Sequence, residues 1–222
     1  MHVFYNPENN TYLPPEESWH SMKVMRLKEG SKAYVVDGKG NKYLIEITEP
    51  HLKKCQYKII EIVTEQEKKK IHIALSPTKS MDRVEWFVEK STEIGVSEIS
   101  FILCKNSERK VIKLERLQKI AVSAMKQSGR TYLPKLNPLT TFQNFIQITN
   151  ENIKLIAHLH EQGVDINNMK SSKSSCILIG PEGDFTKEEI SLALSNDFQA
   201  VSLGNTVLRT ETAGIVASFA LC

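Results

Sequence analysis

Apolar and polar positions alternate in short runs over the first third of the chain. Residues 2–5, 32–37 and 41–48 read as strands, and Gly38-Lys39-Gly40 joins the last two as in a hairpin. Between them, Pro14-Pro15 opens a predicted helix over 16–26, with Trp19, Met22 and Met25 at spacings of three on one face. A further strand over 55–63 runs into Glu65-Gln66-Glu67-Lys68-Lys69-Lys70, a polar stretch with the composition of a linker. Beyond it the period changes. Strands predicted at 71–75, 97–104, 153–159, 176–179 and 200–203 alternate with helices at 114–127, 186–194 and 210–222. One more helix runs through Val84, Phe87, Val88, Ser91 and Ile94, opened by an Asp82-x-x-Glu85 capping box and stopped at Gly95. Alternating strands and helices predict an α/β domain with a largely parallel sheet. The pattern therefore divides the chain into a small β-rich domain, 1–68, and an α/β domain, 69–222.

Composition adds little until it is resolved along the chain. The 222 residues are 41% hydrophobic and 25% charged, which excludes collagen-like, low-complexity and wholly disordered chains. The net charge of +3 splits into +2 over residues 1–70, +5 over 71–135 and −4 over 136–222. The segment 105–135 holds nine basic residues against Glu108 and Glu115, an electrostatic footprint for a polyanion. At about 100° per residue, Arg109, Lys113, Arg116, Lys119, Lys126 and Arg130 fall in a sector of roughly 140°, with Leu114, Leu117, Ala121 and Ala124 on another face. A solvated helix face is the competing reading. Four cysteines, Cys55, Cys104, Cys176 and Cys222, are too widely spaced for a zinc motif and read as free, mostly buried thiols of a reducing compartment. His158 and His160 have no third ligand at suitable spacing, so no metal site is expected. With no leader pattern and no long apolar run, a soluble cytosolic protein is expected.

The chemistry concentrates at predicted strand ends. ILIGPEGDFTKEEI takes an apolar strand directly into Gly180-Pro181-Glu182-Gly183, and Thr186-x-x-Glu189 then caps a helix. A second glycine loop, 204–209, leads to the last helix, and Leu159-His160-Glu161 ends a third strand. Strands leaving through glycine at one edge of a parallel sheet make the edge where open α/β sheets bind ligands. Taken singly, such turns are also common punctuation. Neither GxGxxG nor GxxxxGK[ST] is present.

Five segments together carry a resemblance: GPEGDF, LGNTVLRTETA, KSMDRVEWFVEKSTEIGV, the NSER of 106–109 and the QSGR of 127–130. They resemble the bacterial ribosomal RNA small subunit methyltransferase E family of the SPOUT superfamily. The opening HVFY and the segment His20 to Leu27 resemble that family's N-terminal PUA-like β-barrel. The resemblance implies an S-adenosylmethionine-dependent enzyme that methylates N3 of a uridine in 16S rRNA. It also implies a C-terminal trefoil knot and a homodimer; periodicity shows neither, and threaded chains are rare. Carried over by position, the cofactor pocket comprises Leu159, His160, Glu161, Gly180, Pro181, Glu182, Gly183, Leu203, Gly204, Asn205, Val207 and Leu208. Asp184 stands where the family's commonest form has glycine. Arg209 is the candidate for holding the base or its anion, and Glu182 either accepts the proton or caps the loop. Arg26, Arg109, Lys113, Arg116, Gln127 and Arg130 are the implied RNA contacts. The last helix has no charge after Glu211, and its small residues Ala213, Gly214, Ala217 and Ser218 allow close packing, within its own domain or against a second subunit. A non-catalytic RNA-binding or assembly protein of the same fold is the alternative. A phosphate-binding nucleotide enzyme would need a Lys nearer the loop than Lys187.

Overall fold

The computed structural model describes residues 2–8, 10–67, 69–159, 163–169 and 174–222. Its contacts divide the chain into two units, Met1–Glu67 with Val122–Leu133, and Lys68–Ala121 with Pro134–Cys222. A single cut near residue 68 does not anticipate the return of 122–133 to the first unit.

In that first unit β1 (Val3–Tyr5), β2 (Lys32–Val36), β3 (Asn41–Glu49) and β4 (Gln56–Thr64) form a sheet in sequence order, with β1 and β2 parallel and the other pairs antiparallel. Residues 11–13 turn the sheet toward closure, because Tyr57 N donates to Thr11 O and Leu13 N to Cys55 O, both at 2.9 Å. Phe4, Leu13, Ala33, Val35, Ile45, Ile47 and Cys55 fill the interior. The expected hairpin forms at 38–40, and residues 131–133 zip onto it: Gly40 N donates to Thr131 O (3.1 Å) and Leu133 N to Gly38 O (3.0 Å). Gly40 can hold no side chain, since a Cβ would run into the Tyr132 hydroxyl.

The expected helix over 16–26 is α1 (Pro15–Trp19) continued by a π turn, His20–Val24, in which Met25 N donates to His20 O at 3.0 Å. The wider winding shifts the face. Met22 and Met25 pack on the core, whereas Trp19 is 53% exposed. Leu27 N donates to Ser21 O, a Schellman-type closure that puts Arg26 at φ 54°, where glycine is usual.

The second unit holds β5 (Lys70–Leu75), β6 (Glu98–Leu103), β7 (Lys135–Thr141), β8 (Ile153–Ala157), β9 (Val164–Asp165), β10 (Ser174–Ile179) and β11 (Phe198–Ser202). They form one parallel sheet in the order β7-β6-β5-β10-β8-β11-β9. Helices α2 (Met81–Ile94), α3 (Leu114–Ser128), α4 (Phe142–Ile148), α5 (Lys187–Leu194) and α6 (Thr210–Leu221) connect or follow the strands. Phe142, Phe145 and Ile146 of α4 with Ile190 and Ala193 of α5 cover the face bearing Ala74, Ile156 and Leu178. On the opposite face α6 lies against α2 and β5, with Gly214 close to Phe87 and Leu75.

Two expectations about helix starts separate here. Thr186 and Glu189 form the reciprocal capping box at α5, but α2 is capped at Ser80, so Asp82 lies within its first turn and no box forms. Glu85 instead faces Arg116. Gly95 ends α2 in the left-handed conformation, as expected. The thiols are free, with Cys55, Cys104 and Cys176 buried and Cys222 exposed. Among the described residues no helix is long and apolar enough to cross a membrane.

Candidate active site

Three strands of the α/β unit end side by side in loops. β8 runs into His158 and Leu159, β10 into the 180–184 loop, and β11 into the 203–209 loop that leads to α6. Together they enclose a cavity of about 300 Å³ lined by Ala157 to Leu159, Ile179 to Glu182, Asp184, Val201 to Gly204, Thr206 to Arg209, Thr210 and Ala213. Of the residues anticipated for a cofactor, Leu159, Gly180, Pro181, Glu182, Leu203, Gly204, Val207 and Leu208 line it. Gly183 and Asn205 belong to the same loops without lining the cavity, and His160 and Glu161 lie outside the described residues. Arg209 is at the wall as well, the one guanidinium or ammonium among the described lining residues.

The loops are pinned by side chains rather than by regular structure. Thr210 Oγ1 donates to Gly180 O at 2.9 Å, tying the start of α6 to the end of β10. Asp184 has φ 57°, a left-handed conformation that favours glycine, and aspartate tolerates this region better than most residues. Its carboxylate accepts from Leu159 N (2.9 Å) and from Phe185 N (2.8 Å), so it fastens the β8 end to the β10 loop. Glu182 Oε1 accepts from Lys79 N at 3.0 Å, the bond expected of a loop-capping carboxylate. Asn106 Nδ2 donates to Gly183 O and Asp184 O, each at 3.0 Å. Ala157, His158, Ser202, Thr206, Thr210 and Ala213 also line the cavity beyond the anticipated cofactor residues; their sequence signal is adjacency to the three strand-end loops.

The basic residues are not one helical stripe. Arg109 and Lys113 precede α3 and Arg130 follows it, so a helical wheel does not apply to them. Arg109, Lys113 and Arg116 gather with Met81, Asp82, Glu85 and Val111 around a recess of about 220 Å³. Arg116 is engaged there by Glu85, through Nε to Oε1 at 2.6 Å and Nη2 to Oε2 at 2.8 Å. Arg109 Nε donates to Thr78 O (3.0 Å) and Lys79 O (3.1 Å). In the other unit Arg26, Gln127 and Arg130 are exposed, while Lys126 pairs with Glu17 at 2.5 Å.

A polar row crosses the amino-terminal side of the same sheet. Lys135, Glu98, His72, Cys176 and Lys154 are successive register partners on five strands. His72 Nδ1 lies 2.5 Å from Glu151 Oε1 and its Nε2 2.7 Å from Ser100 Oγ, while Asn137 Nδ2 donates to Ser100 Oγ (2.8 Å) and Glu98 Oε1 (2.6 Å). Burial pushes the Cys176 thiol well above its ordinary range, and Glu151 and Glu98 add to this. Ligand atoms of His72, Glu151 and Cys176 lie within 4.8 Å of one another. The 2.5 Å contact of His72 with Glu151 is part of a hydrogen-bonded network that also takes in Ser100, Asn137 and Glu98.

A parallel sheet with a cavity at its carboxyl edge, walled by glycine loops and an arginine, is a ligand site of the kind open α/β sheets carry, and family comparison gives its class. Residues 65–221 match the model of an RNA methyltransferase domain and residues 13–60 that of an RNA methyltransferase PUA domain. Ribosomal RNA small subunit methyltransferase E of Mesomycoplasma hyopneumoniae is 30% identical, over 94% of this chain and 92% of its own. Among solved structures, a probable rRNA-methyltransferase from Porphyromonas gingivalis is 38% identical with a TM-score of 0.91, covering 98% of this chain and 95% of its own. The ribosomal RNA small subunit methyltransferase E of Neisseria gonorrhoeae, bound to S-adenosyl methionine, is 29% identical with a TM-score of 0.87 over 98% and 95%. The chain belongs to the ribosomal RNA small subunit methyltransferase E family, with a SPOUT-type α/β domain and an N-terminal PUA-like unit.

Proposed function

We propose that this protein transfers a methyl group from S-adenosylmethionine to N3 of a uridine in the 16S rRNA of the small ribosomal subunit. The observation that carries the reading is the cavity at the ends of β8, β10 and β11 with Arg209 in its wall. The residues present suit that cofactor. Leu159 is 64% and Val207 77% exposed, large apolar side chains at the cavity that a bound adenine would cover. The bound cofactor supplies an electrophilic methyl group.

Uridine N3 becomes a nucleophile when its proton passes to solvent water, negative charge develops on the flanking carbonyl oxygens, and bonding of N3 to the methyl carbon breaks the methyl–sulfur bond and leaves S-adenosylhomocysteine. Arg209 holds that charge and orients the base; a positioned guanidinium stabilises such an anion most where water is excluded. Glu182 keeps the loop in place through the Lys79 amide, which favours a positioning role over that of proton acceptor. The PUA-like unit, the basic residues Arg26, Lys113, Arg116 and Arg130 and the amide of Gln127 hold RNA, chiefly by its phosphates. A homodimer is part of the same reading, supported by the 78% exposed Phe219 on α6 and the 42% exposed Trp86 on α2. So are a trefoil threading of the C-terminal segment and a cytoplasmic location.

Incubation with labelled S-adenosylmethionine and undermodified small subunits, followed by mapping of the modified base, tests the reaction. Label at N3 of one uridine is expected; label on carbon or on another base overturns the assignment. Arg209→Ala is expected to abolish methylation while calorimetry finds cofactor affinity nearly intact, and full activity in that variant removes the role.

A further inference from the structure

The turn between β5 and α2 is gripped from both sides. Its Lys79 amide N–H donates to Glu182 Oε1 at 3.0 Å, and Glu182 lines the cavity. Its carbonyl, with that of Thr78, accepts from Arg109: Nε reaches Thr78 O at 3.0 Å and Lys79 O at 3.1 Å, and Nη2 also donates to Lys79 O. One residue thus has both backbone groups held by side chains, the first from the cavity loop and the second from the 106–109 segment. That segment touches the cavity loop directly as well, since Asn106 Nδ2 donates to Gly183 O and Asp184 O, each at 3.0 Å. Ser107 fixes its base: its hydroxyl accepts from Cys104 N (2.8 Å) and lies 2.7 Å from Ser76 Oγ, while Ser76 N donates to Ile179 O at 2.9 Å. Arg109 is half-buried, unlike Lys105, Lys110, Lys113 and Arg116, which are exposed. A guanidinium spent on two carbonyls is a strut.

We propose that Arg109 is a positioning residue for the cofactor cavity, acting through the 78–80 turn and Glu182, and that it is not one of the phosphate contacts. The proposal rests on the methyltransferase reading. It follows that the fork of Arg109 matters more than its charge, because only a planar guanidinium spans both carbonyls. Arg109→Lys keeps the charge and loses the fork.

Four measurements on the full chain test this: cofactor affinity by calorimetry, RNA affinity as a function of salt, kcat and KM for transfer, and hydrogen exchange of the Lys79 amide in the unliganded protein. Both Arg109→Lys and Arg109→Ala are expected to weaken cofactor binding roughly ten- to a hundredfold, the scale of losing charge-assisted hydrogen bonds. Lys79 exchange accelerates in both, with thermal midpoint and RNA salt slope unchanged. KM for the cofactor rises more than kcat falls. Adding Glu182→Gln to Arg109→Lys costs no more than the worse single change, because both act on one turn. The proposal is overturned if Arg109→Lys behaves as wild type while Arg109→Ala loses RNA affinity with a salt slope smaller by about one. It is equally overturned if Lys79 exchange does not respond. Absence of cofactor binding and of transfer in the wild-type protein would instead sink the functional reading, leaving the exchange measurement to decide the strut.

Discussion

Asp184 shows what one residue can do at a position that favours glycine. Its φ of 57° is costly for a side chain, yet its carboxylate joins the loop after β10 to the Leu159 amide 25 residues earlier. Asp184→Gly is expected to keep stability near wild type and to weaken cofactor affinity, since the loop loses its tie to Leu159 while its backbone relaxes. Asp184→Ala loses the tie and keeps the unfavourable backbone, at a cost of about 1–2 kcal/mol in stability. Urea denaturation of the two variants distinguishes these outcomes, and equal stabilities would show that backbone conformation is not the issue. The loops 180–184 and 203–209 were legible in the sequence because glycine at a strand end is a local signal. The Leu159 tie was not, because it is a tertiary contact, and the same holds for Arg109: its charge is visible in the chain, but the two carbonyls it holds are not.

Elements with a regular period were read almost to the residue, and those that bend a local rule were missed. β7 carries Pro138, which argues against a strand; it survives because β7 is the sheet edge and the register slips there, between Ser100 and Phe101 of the partner. α4 follows at once and has only seven residues, too few to display a helical period. The π turn at His20–Val24 defeats a fixed spacing in the same way. α6 gives the clearest test of packing against propensity. Gly214→Ala would gain about 1 kcal/mol of helix propensity. Its Cβ, however, would stand 2.5 Å from the Phe87 ring and 2.9 Å from Leu75, and overpacking costs about 1–3 kcal/mol. Net destabilisation is expected in a denaturant titration, and a stabilised variant would mean that α6 can slide away from α2.

Across the whole molecule, charge partition was the legible feature, and the buried polar row on the sheet was not. Burial raises the Glu151 carboxyl, but the bond and attraction to His72 outweigh it and hold the group below its ordinary value. For Glu98 burial is likewise outweighed, by Asn137, Lys135 and His72. Carboxyls depressed in the folded state stabilise it above their unfolded value, about 4.3 for glutamate, and that contribution is lost as pH falls through the folded value. Denaturation midpoints between pH 7 and 3 are expected to fall less steeply for Glu151→Gln than for wild type; identical slopes would remove the pair from the acid response. The strand order has one further consequence. Among the described residues β10 alone joins β7-β6-β5 to β8-β11-β9, and its partner β5 lies about a hundred residues earlier. A growing chain therefore carries β7-β6-β5 with an open β5 edge and β8 without a neighbour until residues 174–179 arrive to join them, and such distant pairing is slow. Because the same strand delivers the 180–184 loop, cofactor capture during refolding should lag behind helix formation, making ligand binding a late reporter of completed folding.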